Sequence, residues 1–135
     1  TTHEPLGVVA AIIPWNSPMY LTAVKLAPAL AAGNTVVLKP SEHASATILE
    51  LMHLVQEAGF PDGVVNVVTG LGVDTGSALT KHPLVRRIAF TGGGEGAKSV
   101  IKNSAENLAQ VSLELGGNLL ILYLKTPILE VLSTV

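Results

Sequence analysis

The alternation of short apolar runs with longer stretches of helical periodicity constrains the fold of this chain more than any other feature. Five apolar runs occupy residues 8–13, 35–38, 64–68, 87–90 and 111–115. The first run is unbroken, as in strands that are buried on both faces of a parallel sheet. Runs separated by helical patterns are typical of βα units. The sequence therefore predicts an α/β fold, namely a doubly wound, mostly parallel, Rossmann-like sheet of five strands.

Turn and capping residues indicate where the helices begin and end. Ser17, which precedes a proline, and Ser41 are each expected to cap the start of a helix, because a serine hydroxyl accepts a hydrogen bond from a free N–H of the first turn. The four predicted helices end near Ala32, Ala58, Lys81 and Asn107. Each helix thus connects two consecutive strands.

A single carboxylate, Glu114, lies near the end of the fifth apolar run, just before two glycines. In an α/β sheet, the carboxyl end of a strand presents its groups to a crevice. The apolar neighbours Leu113 and Leu115 are expected to raise the pKa of this carboxyl by desolvation, which suits a general base. A solvated or paired surface glutamate is the alternative that these residues leave open.

A glycine-rich stretch, Thr91-Gly-Gly-Gly94, lies between the fourth strand and the helix after it. Glycines allow backbone N–H groups to approach a pyrophosphate, and the N-terminus of a helix favours negative charge. With Ala97 the stretch also fits the spacing G-x-G-x-x-A. A flexible turn without a ligand is the alternative.

Polar side chains follow the first two strands. Lys39 can donate to ribose hydroxyls and Glu42 can accept from them, and a carboxylate at the ribose favours NAD over NADP. The amide of Asn16 can donate to an oxyanion. The alternatives are a helix-capping loop with surface charges and a turn-forming asparagine. Trp15 is interpreted as a packing or interface residue.

Composition excludes several classes of function. The net charge of −2 gives no reason to expect a nucleic acid or an anionic membrane as a partner. The chain has no cysteine, so it contains no disulfide, thiolate metal site or cysteine nucleophile, and its four histidines lack metal-ligand spacing. Without a transmembrane segment or signal peptide, a cytoplasmic location is expected. With 48% hydrophobic and 13% charged residues, some apolar face is expected to meet a partner or another part of a larger protein.

Six motifs follow one another between Glu4 and Gly117. They are Pro5-Leu-Gly-Val8, Pro14-Trp-Asn16, Leu26-Ala-Pro-Ala-Leu-Ala-Ala-Gly-Asn34, Val37-Leu-Lys-Pro-Ser-Glu42, Phe90-Thr-Gly-Gly93 and Leu113-Glu-Leu-Gly-Gly117. Their order and spacing resemble the cofactor-binding domain of the NAD(P)-dependent aldehyde dehydrogenase superfamily. The resemblance implies an incomplete domain of an oxidoreductase that acts on a small-molecule aldehyde, uses NAD or NADP, and has homo-oligomeric full-length relatives.

The resemblance also implies a role for each motif. In this family a cysteine attacks the aldehyde to give a thiohemiacetal, hydride passes to the nicotinamide, and water hydrolyses the resulting thioester. Glu114 matches the general base that activates this water, and Asn16 matches the amide that stabilises the oxyanion. The implied cofactor-binding positions are Ile13, Pro14, Trp15, Lys39, Ser41, Glu42, Gly72, Gly76, Phe90, Thr91, Gly92, Gly93 and Leu115.

Within that set, the resemblance assigns different parts of the cofactor to different residues. Lys39 and Glu42 match contacts to the adenosine ribose, and Gly72 and Gly76 match a loop on the adenine side. Gly92 and Gly93 match the pyrophosphate turn. Many members have serine where Gly93 stands, so one hydroxyl contact is missing here, and Ala97 replaces a frequent glycine.

Two departures from the family pattern are larger. The family's nucleophilic cysteine is expected beyond the last residue of this chain. After Gly117 the family usually continues Lys-Ser-Pro-Asn-Ile-Val-Phe, whereas this chain continues Asn118-Leu-Leu-Ile-Leu-Tyr-Leu124. We therefore predict an aldehyde-dehydrogenase-like segment over residues 1–117 and a divergent apolar tail over residues 118–135.

A frameshift is one hypothesis for this tail. If codons are chosen for a family-like continuation and one base is deleted after Gly117, the shifted frame encodes the tail observed here. The alternative is a divergent apolar strand. Three interpretations of the whole chain then remain: part of an aldehyde dehydrogenase, a truncated non-catalytic fragment that binds dinucleotide, and a non-functional translation product.

Overall fold

The computed structural model describes residues 4–116, in which five strands alternate with helices. The strands are β1 (Val8–Ile13), β2 (Thr35–Pro40), β3 (Val65–Val67), β4 (Val85–Gly92) and β5 (Gln110–Leu115). The helices are α1 (Pro18–Ala31), α2 (Ala46–Glu57), α3 (Ser77–Lys81) and α4 (Gly94–Ser104), and a π-helical turn (Gly72–Gly76) directly precedes α3. Within the described range, no helix has both the length and the apolar character needed to cross a membrane.

The five strands form one parallel sheet in the order β3-β2-β1-β4-β5. The chain moves outward from β1 to β2 and β3 on one side, then returns to add β4 and β5 on the other. The strand order therefore reverses beside β1, and a crevice is expected there at the carboxyl ends of the strands. The predicted five-stranded parallel sheet is confirmed.

Helices cover both faces of the sheet. Along β1, Val9, Ala11 and Ile13 pack with α1 and α2 on one face, where Leu26 and Ile48 are buried. The alternate residues of β1 point to the other face, where the core includes Ala97 and Val100 of α4. Because α1 and α2 lie on one face and α4 on the other, the sheet is doubly wound, as predicted.

The second predicted helix begins later than expected, and Ser41 is not its cap. Lys39 and Pro40 still pair with Ile12 and Ile13 of β1, so β2 continues two residues beyond its predicted end. The chain then needs a turn, in which the Ser41 hydroxyl accepts a hydrogen bond from the His43 N–H at 3.3 Å. Helix α2 starts at Ala46, with Ser45 in the capping position.

The first helix starts where predicted, but its cap differs from the expectation. Ser17 has left-handed backbone angles, with φ of 52°, and its side chain makes no capping hydrogen bond. This conformation turns the chain sharply from the end of β1 into α1.

The tail predicted at residues 118–135 lies outside the described residues.

Asn34 ties the N-terminal segment to the end of α1. Its side-chain oxygen accepts hydrogen bonds from the backbone N–H groups of Leu6 at 2.7 Å and Gly7 at 3.1 Å. Its amide nitrogen donates to the carbonyl of Ala29 at 3.1 Å. The side chain thus satisfies three backbone groups at the start of the sheet, at the edge opposite to the carboxyl ends of the strands.

Candidate functional site

A crevice of about 480 Å³ lies at the carboxyl ends of β1, β2 and β4, where the strand order reverses. Loops and strand ends from three separate motifs contribute to its walls. It is lined by Ile12, Ile13, Pro14, Trp15, Asn16, Lys39, Ser41, Glu42, Phe90, Thr91, Gly92, Gly93 and Gly116. The fold therefore brings together most of the residues that the sequence singled out.

Four of the predicted site residues do not line this crevice: Gly72, Gly76, Glu114 and Leu115. Conversely, Ile12 and Gly116 line it without having been predicted. Ile12 lies inside the apolar run of β1, where nothing in the sequence distinguishes it from a core residue. Gly116 belongs to the glycine pair that follows Glu114, and that pair was a signal that could have identified it.

Lys39 reaches the crevice through a buried stem. The residue is only 3% exposed because it lies in β2, between β1 and β3, near the end of the strand. Its ammonium donates to the carbonyl of Pro40 at 3.0 Å and lies 3.6 Å from a carboxylate oxygen of Glu42. These two contacts hold one positive charge at the mouth of the crevice.

Glu42 supplies a negative charge beside that lysine. Its pKa lies below the ordinary glutamate value, chiefly because the carboxylate accepts a hydrogen bond from its own backbone N–H. Partial desolvation acts in the opposite direction, and the charges of Lys39 and His43 lower the pKa further. The crevice thus places the Glu42 carboxylate, with its lowered pKa, beside the Lys39 side chain, an arrangement suited to a ligand rich in hydroxyls.

The N-terminus of α4 opens toward the crevice without a side-chain cap. Gly93 occupies the capping position, and a Cβ atom added there or at Gly94 would meet nothing within 4 Å. The backbone is therefore accessible, and N–H groups of the first turn have no side-chain acceptor at this cap. Such a helix end favours an anion.

Phe90 forms the floor beneath this helix end. A Cβ atom added at Gly92 would come within 2.6 Å of the Phe90 Cζ, and one at Gly96 within 2.9 Å. Glycine at both positions thus lets the ring lie directly against the turn. The hydroxyl oxygen of Thr91, next in sequence, is buried and makes no hydrogen bond within residues 4–116.

Trp15 and Asn16 lie in the turn between β1 and α1. Trp15 is 66% exposed although it lines the crevice, and Asn16 is exposed as well. The left-handed Ser17 follows directly and turns the chain into the helix. Both side chains are thus presented at the rim, just after the end of β1, the strand next to the β2 strand that carries Lys39.

Glu114 lies at the same edge of the sheet, beside the crevice. It pairs in register with Thr91, which lines the crevice, and Gly116 two residues later lines it too. Val111 and Leu113 pack into the core on the α4 side, so Glu114 points to the opposite face, on which α1 lies. The carboxylate is therefore on the same edge as Asn16 and Lys39.

The expectation that Leu113 and Leu115 desolvate this carboxylate is wrong for the described residues. Successive side chains of a strand point to opposite faces, so both leucines point away from Glu114, which is exposed. The carboxylate instead acts on Lys25 of α1. Burial lowers the pKa of the Lys25 ammonium, and the charge of Glu114 partly offsets that effect.

Gly76 adjoins the crevice from behind Lys39. It is buried at the end of the π-helical turn, and a Cβ atom there would lie 3.9 Å from Cδ and Cε of Lys39. Gly72, at the other end of the turn, is exposed. Leu115 pairs with Gly92 across β4 and β5. Three of the four residues outside the lining thus neighbour residues within it.

Residues 1–126 match the sequence model of the aldehyde dehydrogenase family. Over 115 residues the chain is 65% identical to (Z)-2-((N-methylformamido)methylene)-5-hydroxybutyrolactone dehydrogenase of Acinetobacter baylyi, covering 85% of this chain and 24% of that protein. It is 54% identical over 119 residues to retinaldehyde dehydrogenase 3 of Rattus norvegicus, covering 87% and 23%. The chain thus spans about a quarter of the length of the curated relatives it matches.

Solved structures share the same fold. The crystal structure of PnpE in complex with nicotinamide adenine dinucleotide aligns with a TM-score of 0.83 and 50% sequence identity, over 84% of this chain and 23% of that one. Betaine aldehyde dehydrogenase from Staphylococcus aureus, in complex with NAD⁺, aligns with a TM-score of 0.82 and 44% identity, over 84% and 23%.

Proposed function

Because this chain belongs to the aldehyde dehydrogenase family, we propose that it supplies the dinucleotide-binding part of an enzyme that oxidises an aldehyde to a carboxylic acid with NAD. The observation that carries this proposal is the crevice where the strand order reverses, which gathers all but four of the predicted site residues. Two similar proteins, PnpE and betaine aldehyde dehydrogenase, have solved structures that contain NAD.

The adenosine half of NAD fits the side of the crevice at the end of β2. Lys39 donates to a ribose hydroxyl while Glu42 accepts from one, and Ser41 lies between them. The ionised carboxylate of Glu42 would repel the 2′-phosphate of NADP, so NAD is the proposed cofactor and NADP the less favoured substitute. Gly72 and Gly76 then belong to the adenine side, adjacent to the Lys39 stem.

The pyrophosphate fits the uncapped N-terminus of α4. The accessible backbone at Gly93 and Gly94 allows N–H groups to donate to phosphate oxygens, and the helix dipole favours their charge. In this assignment, Gly92 keeps the turn close to the sheet. The remaining proposed contacts to the cofactor are Ile13, Pro14, Trp15, Phe90, Thr91 and Leu115.

Two residues are proposed to act on the reacting groups. When bound, NAD accepts the hydride that the substrate carbon loses. The amide of Asn16 donates a hydrogen bond to the oxygen on which negative charge develops. The carboxylate of Glu114 accepts a proton from the water that releases the acid product. The thiol that attacks the aldehyde is not supplied by this chain, which contains no cysteine.

The absence of a cysteine favours a second proposal for the chain on its own: a fragment that binds dinucleotide but does not oxidise aldehydes. A third possibility is a translation product that neither folds nor binds. The three are distinguished by three measurements: saturable NAD binding, aldehyde-dependent NADH formation, and cooperative unfolding. We expect binding and cooperative unfolding without NADH formation.

NAD binding can be followed through Trp15, which is the sole tryptophan and lines the crevice. We expect NAD to change its fluorescence saturably and Lys39→Met to weaken that binding, because the substitution removes the charge but keeps a similar stem. Lys98→Met is the matched control, since Lys98 is exposed on α4 and pairs with Glu95. Absence of a saturable change in the unaltered chain would contradict the proposal.

Several broader features belong to the same proposal. These are a small-molecule aldehyde as substrate, a cytoplasmic location, homo-oligomeric full-length relatives, and no nucleic acid or membrane as a partner. The low net charge of −2 supports the last of these. Gel filtration of the purified chain with and without nucleic acid tests the nucleic-acid assignment, and gel filtration of a full-length relative tests the oligomeric one.

We also propose that residues 118–135 are read one base out of phase. What supports this is that a single-base deletion in a family-like coding sequence, with codons chosen to fit, yields the tail observed here. Sequencing the gene tests it. The shifted frame should encode a family-like continuation after Gly117, and a frame without one would exclude the hypothesis.

A further inference from the structure

A cluster of four polar side chains joins α3 to α4 on the face of the sheet remote from α1. Asn103 of α4 donates through its amide to the hydroxyl of Thr80 at 2.9 Å and to that of Ser77 at 3.3 Å. The Asn107 amide donates to the backbone carbonyls of Thr80 at 3.1 Å and His82 at 2.8 Å. Thr80 is therefore held at its hydroxyl by Asn103 of α4 and at its carbonyl by Asn107, which follows α4.

This polar cluster is buried at its centre. Thr80 is 1% exposed and Asn103 is 9% exposed. Hydrogen bonds between buried neutral groups are costly to lose, because the partner left behind has no water to replace them. An apolar pair would pack in the same space without this cost, so the cluster fixes geometry more than it adds stability.

The segment that the cluster holds cannot maintain its conformation alone. Helix α3 has five residues, and the π-helical turn before it has another five. Isolated helices of such length are unstable in water, since nucleation costs more than a few hydrogen bonds return. The contacts from α4 therefore supply order that the sequence of this segment does not.

The same cluster reaches the crevice through Gly76. The Thr80 hydroxyl donates to the Gly76 carbonyl at 2.8 Å, and the Gly76 N–H donates to the Leu71 carbonyl at 3.2 Å, which closes the π-helical turn. Gly76 lies behind Lys39, where a Cβ added to the glycine would be in van der Waals contact, 3.9 Å from Cδ and Cε. Hydrogen bonds thus link Asn103 through Thr80 to Gly76, which lies beside the Lys39 stem.

We propose that Thr80 and Asn103 are positioning residues for nucleotide binding: they hold Gly76 against the stem of Lys39 and so set where the Lys39 ammonium stands in the crevice. This inference rests on the proposed function of the crevice. Both ends of α4 then contribute to ligand binding. Its first turn lies at the proposed anion site, and Asn103 in its last turn holds Thr80 and, through it, Gly76 behind Lys39.

The test compares ligands that contain the adenosine half of NAD with one that lacks it. Dissociation constants are measured by titration calorimetry on the full chain for AMP, ADP-ribose and nicotinamide mononucleotide. For Thr80→Val, which replaces the hydroxyl by a methyl group, we expect AMP and ADP-ribose to bind about three- to tenfold more weakly, because the hydroxyl's hydrogen bonds with Asn103 and Gly76 no longer hold Gly76 beside the Lys39 stem. Binding of nicotinamide mononucleotide should not change.

Two further variants separate positioning from general destabilisation. Thr80→Ser keeps the hydroxyl and should restore adenosine binding. Thr22→Val is the matched control, because Thr22 is also fully buried but its hydroxyl has no hydrogen-bond partner within the described residues. If Thr80→Val fails to unfold cooperatively, Asn103→Ala replaces it, since that change removes the hydrogen bonds from α4 to Thr80 and Ser77 and keeps the Thr80 hydroxyl.

Hydrogen exchange of the amides of residues 71–76 gives a readout that needs no ligand. We expect faster exchange in Thr80→Val than in Thr80→Ser or Thr22→Val. Faster exchange with unchanged AMP affinity would overturn the positioning role. Unchanged exchange would show that the Thr80 hydroxyl does not order residues 71–76. If the unaltered chain binds none of the three ligands, the proposed function fails, and the exchange rates still decide whether Thr80 orders this segment.

Discussion

Thr91 and Glu114 lie opposite each other in the parallel register of β4 and β5. Thr91 lines the crevice, and its buried hydroxyl makes no hydrogen bond within residues 4–116. The pairing places the carboxylate one strand away from the crevice, at the same level along the sheet. Parallel strands present their carboxyl ends at a common edge, so residues far apart in sequence meet here.

The relationship between Glu114 and Lys25 leads to a prediction about pH. Burial holds the pKa of Lys25 below that of an unfolded lysine, so the unfolded chain binds more protons at alkaline pH and stability rises with pH in that window. Glu114→Gln removes the charge that partly offsets burial. The Lys25 pKa should fall further, and the rise in stability should begin at a lower pH.

The measurement is the urea midpoint between about pH 8 and pH 10.4, the ordinary lysine pKa. Lys25→Met should remove the part of the alkaline rise in stability that comes from Lys25, both in the unaltered chain and in Glu114→Gln. Glu57→Gln, an exposed change on α2, serves as the charge control and should leave the profile unaltered. Identical profiles for Glu114→Gln and the unaltered chain would show that the two charges do not interact.

A second prediction concerns cofactor preference at Glu42. Because its pKa is lowered, the carboxylate stays ionised as the pH falls through the ordinary glutamate value of about 4.3, and in the proposed ribose contact it would repel the 2′-phosphate of NADP. Glu42→Gln should therefore improve NADP binding relative to NAD by about tenfold, the order expected for removing one like charge near the surface.

Trp15 fluorescence titrations with both dinucleotides measure this ratio. Glu50→Gln, on the exposed side of α2, is the matched control and should leave the ratio unchanged. A ratio that also stays constant in Glu42→Gln would remove this carboxylate from the ribose site.

Most of the fold could be predicted because the sequence signals for its strands and helices are local and recur along the chain. Each apolar run carries its own strand signal, and a parallel sheet with helical crossovers has few alternative arrangements. The residues at the carboxyl ends of β1, β2 and β4 could then be grouped, since the fold rule decides where strand ends meet. Lys39 and Glu42 were identified in this way.

Other features depend on tertiary contacts that no local pattern reports. Ser17 precedes the first helix as the sequence predicts, but its left-handed backbone depends on the sharp turn between β1 and α1. The end of β2 depends on pairing with Ile12 and Ile13, which the residues around Lys39 do not reveal. Thr80 and Asn103 are separated by 23 positions, so their contact required the packing of α3 on α4.

A third prediction concerns the anchor at Asn34. Asn34→Ala removes three hydrogen bonds, two of them from backbone groups of the N-terminal segment. At about 0.5–1.5 kcal/mol for each bond, we expect a loss of about 1.5–4.5 kcal/mol in the free energy of unfolding. Asn66→Ala is the control, since Asn66 is exposed and makes one such bond, and it should cost less than about 1 kcal/mol. Equal losses in urea denaturation would contradict the anchoring role.

The fourth prediction compares two adjacent glycines of the proposed anion site. In Gly92→Ala the new methyl group would stand 2.6 Å from the ring of Phe90, which is buried in the core. The ring must move from its packed position, and overpacking of this kind costs about 1–3 kcal/mol.

Gly93→Ala introduces the same methyl group one residue later, where nothing lies within 4 Å and φ is −78°. Its free energy of unfolding should stay within about 0.5 kcal/mol of the unaltered chain. Urea denaturation followed by circular dichroism distinguishes the two, because the substitutions match in size and position. If both variants lose the same stability, the glycine at position 92 is not required by the Phe90 ring, and the close approach of the turn to the sheet must have another cause.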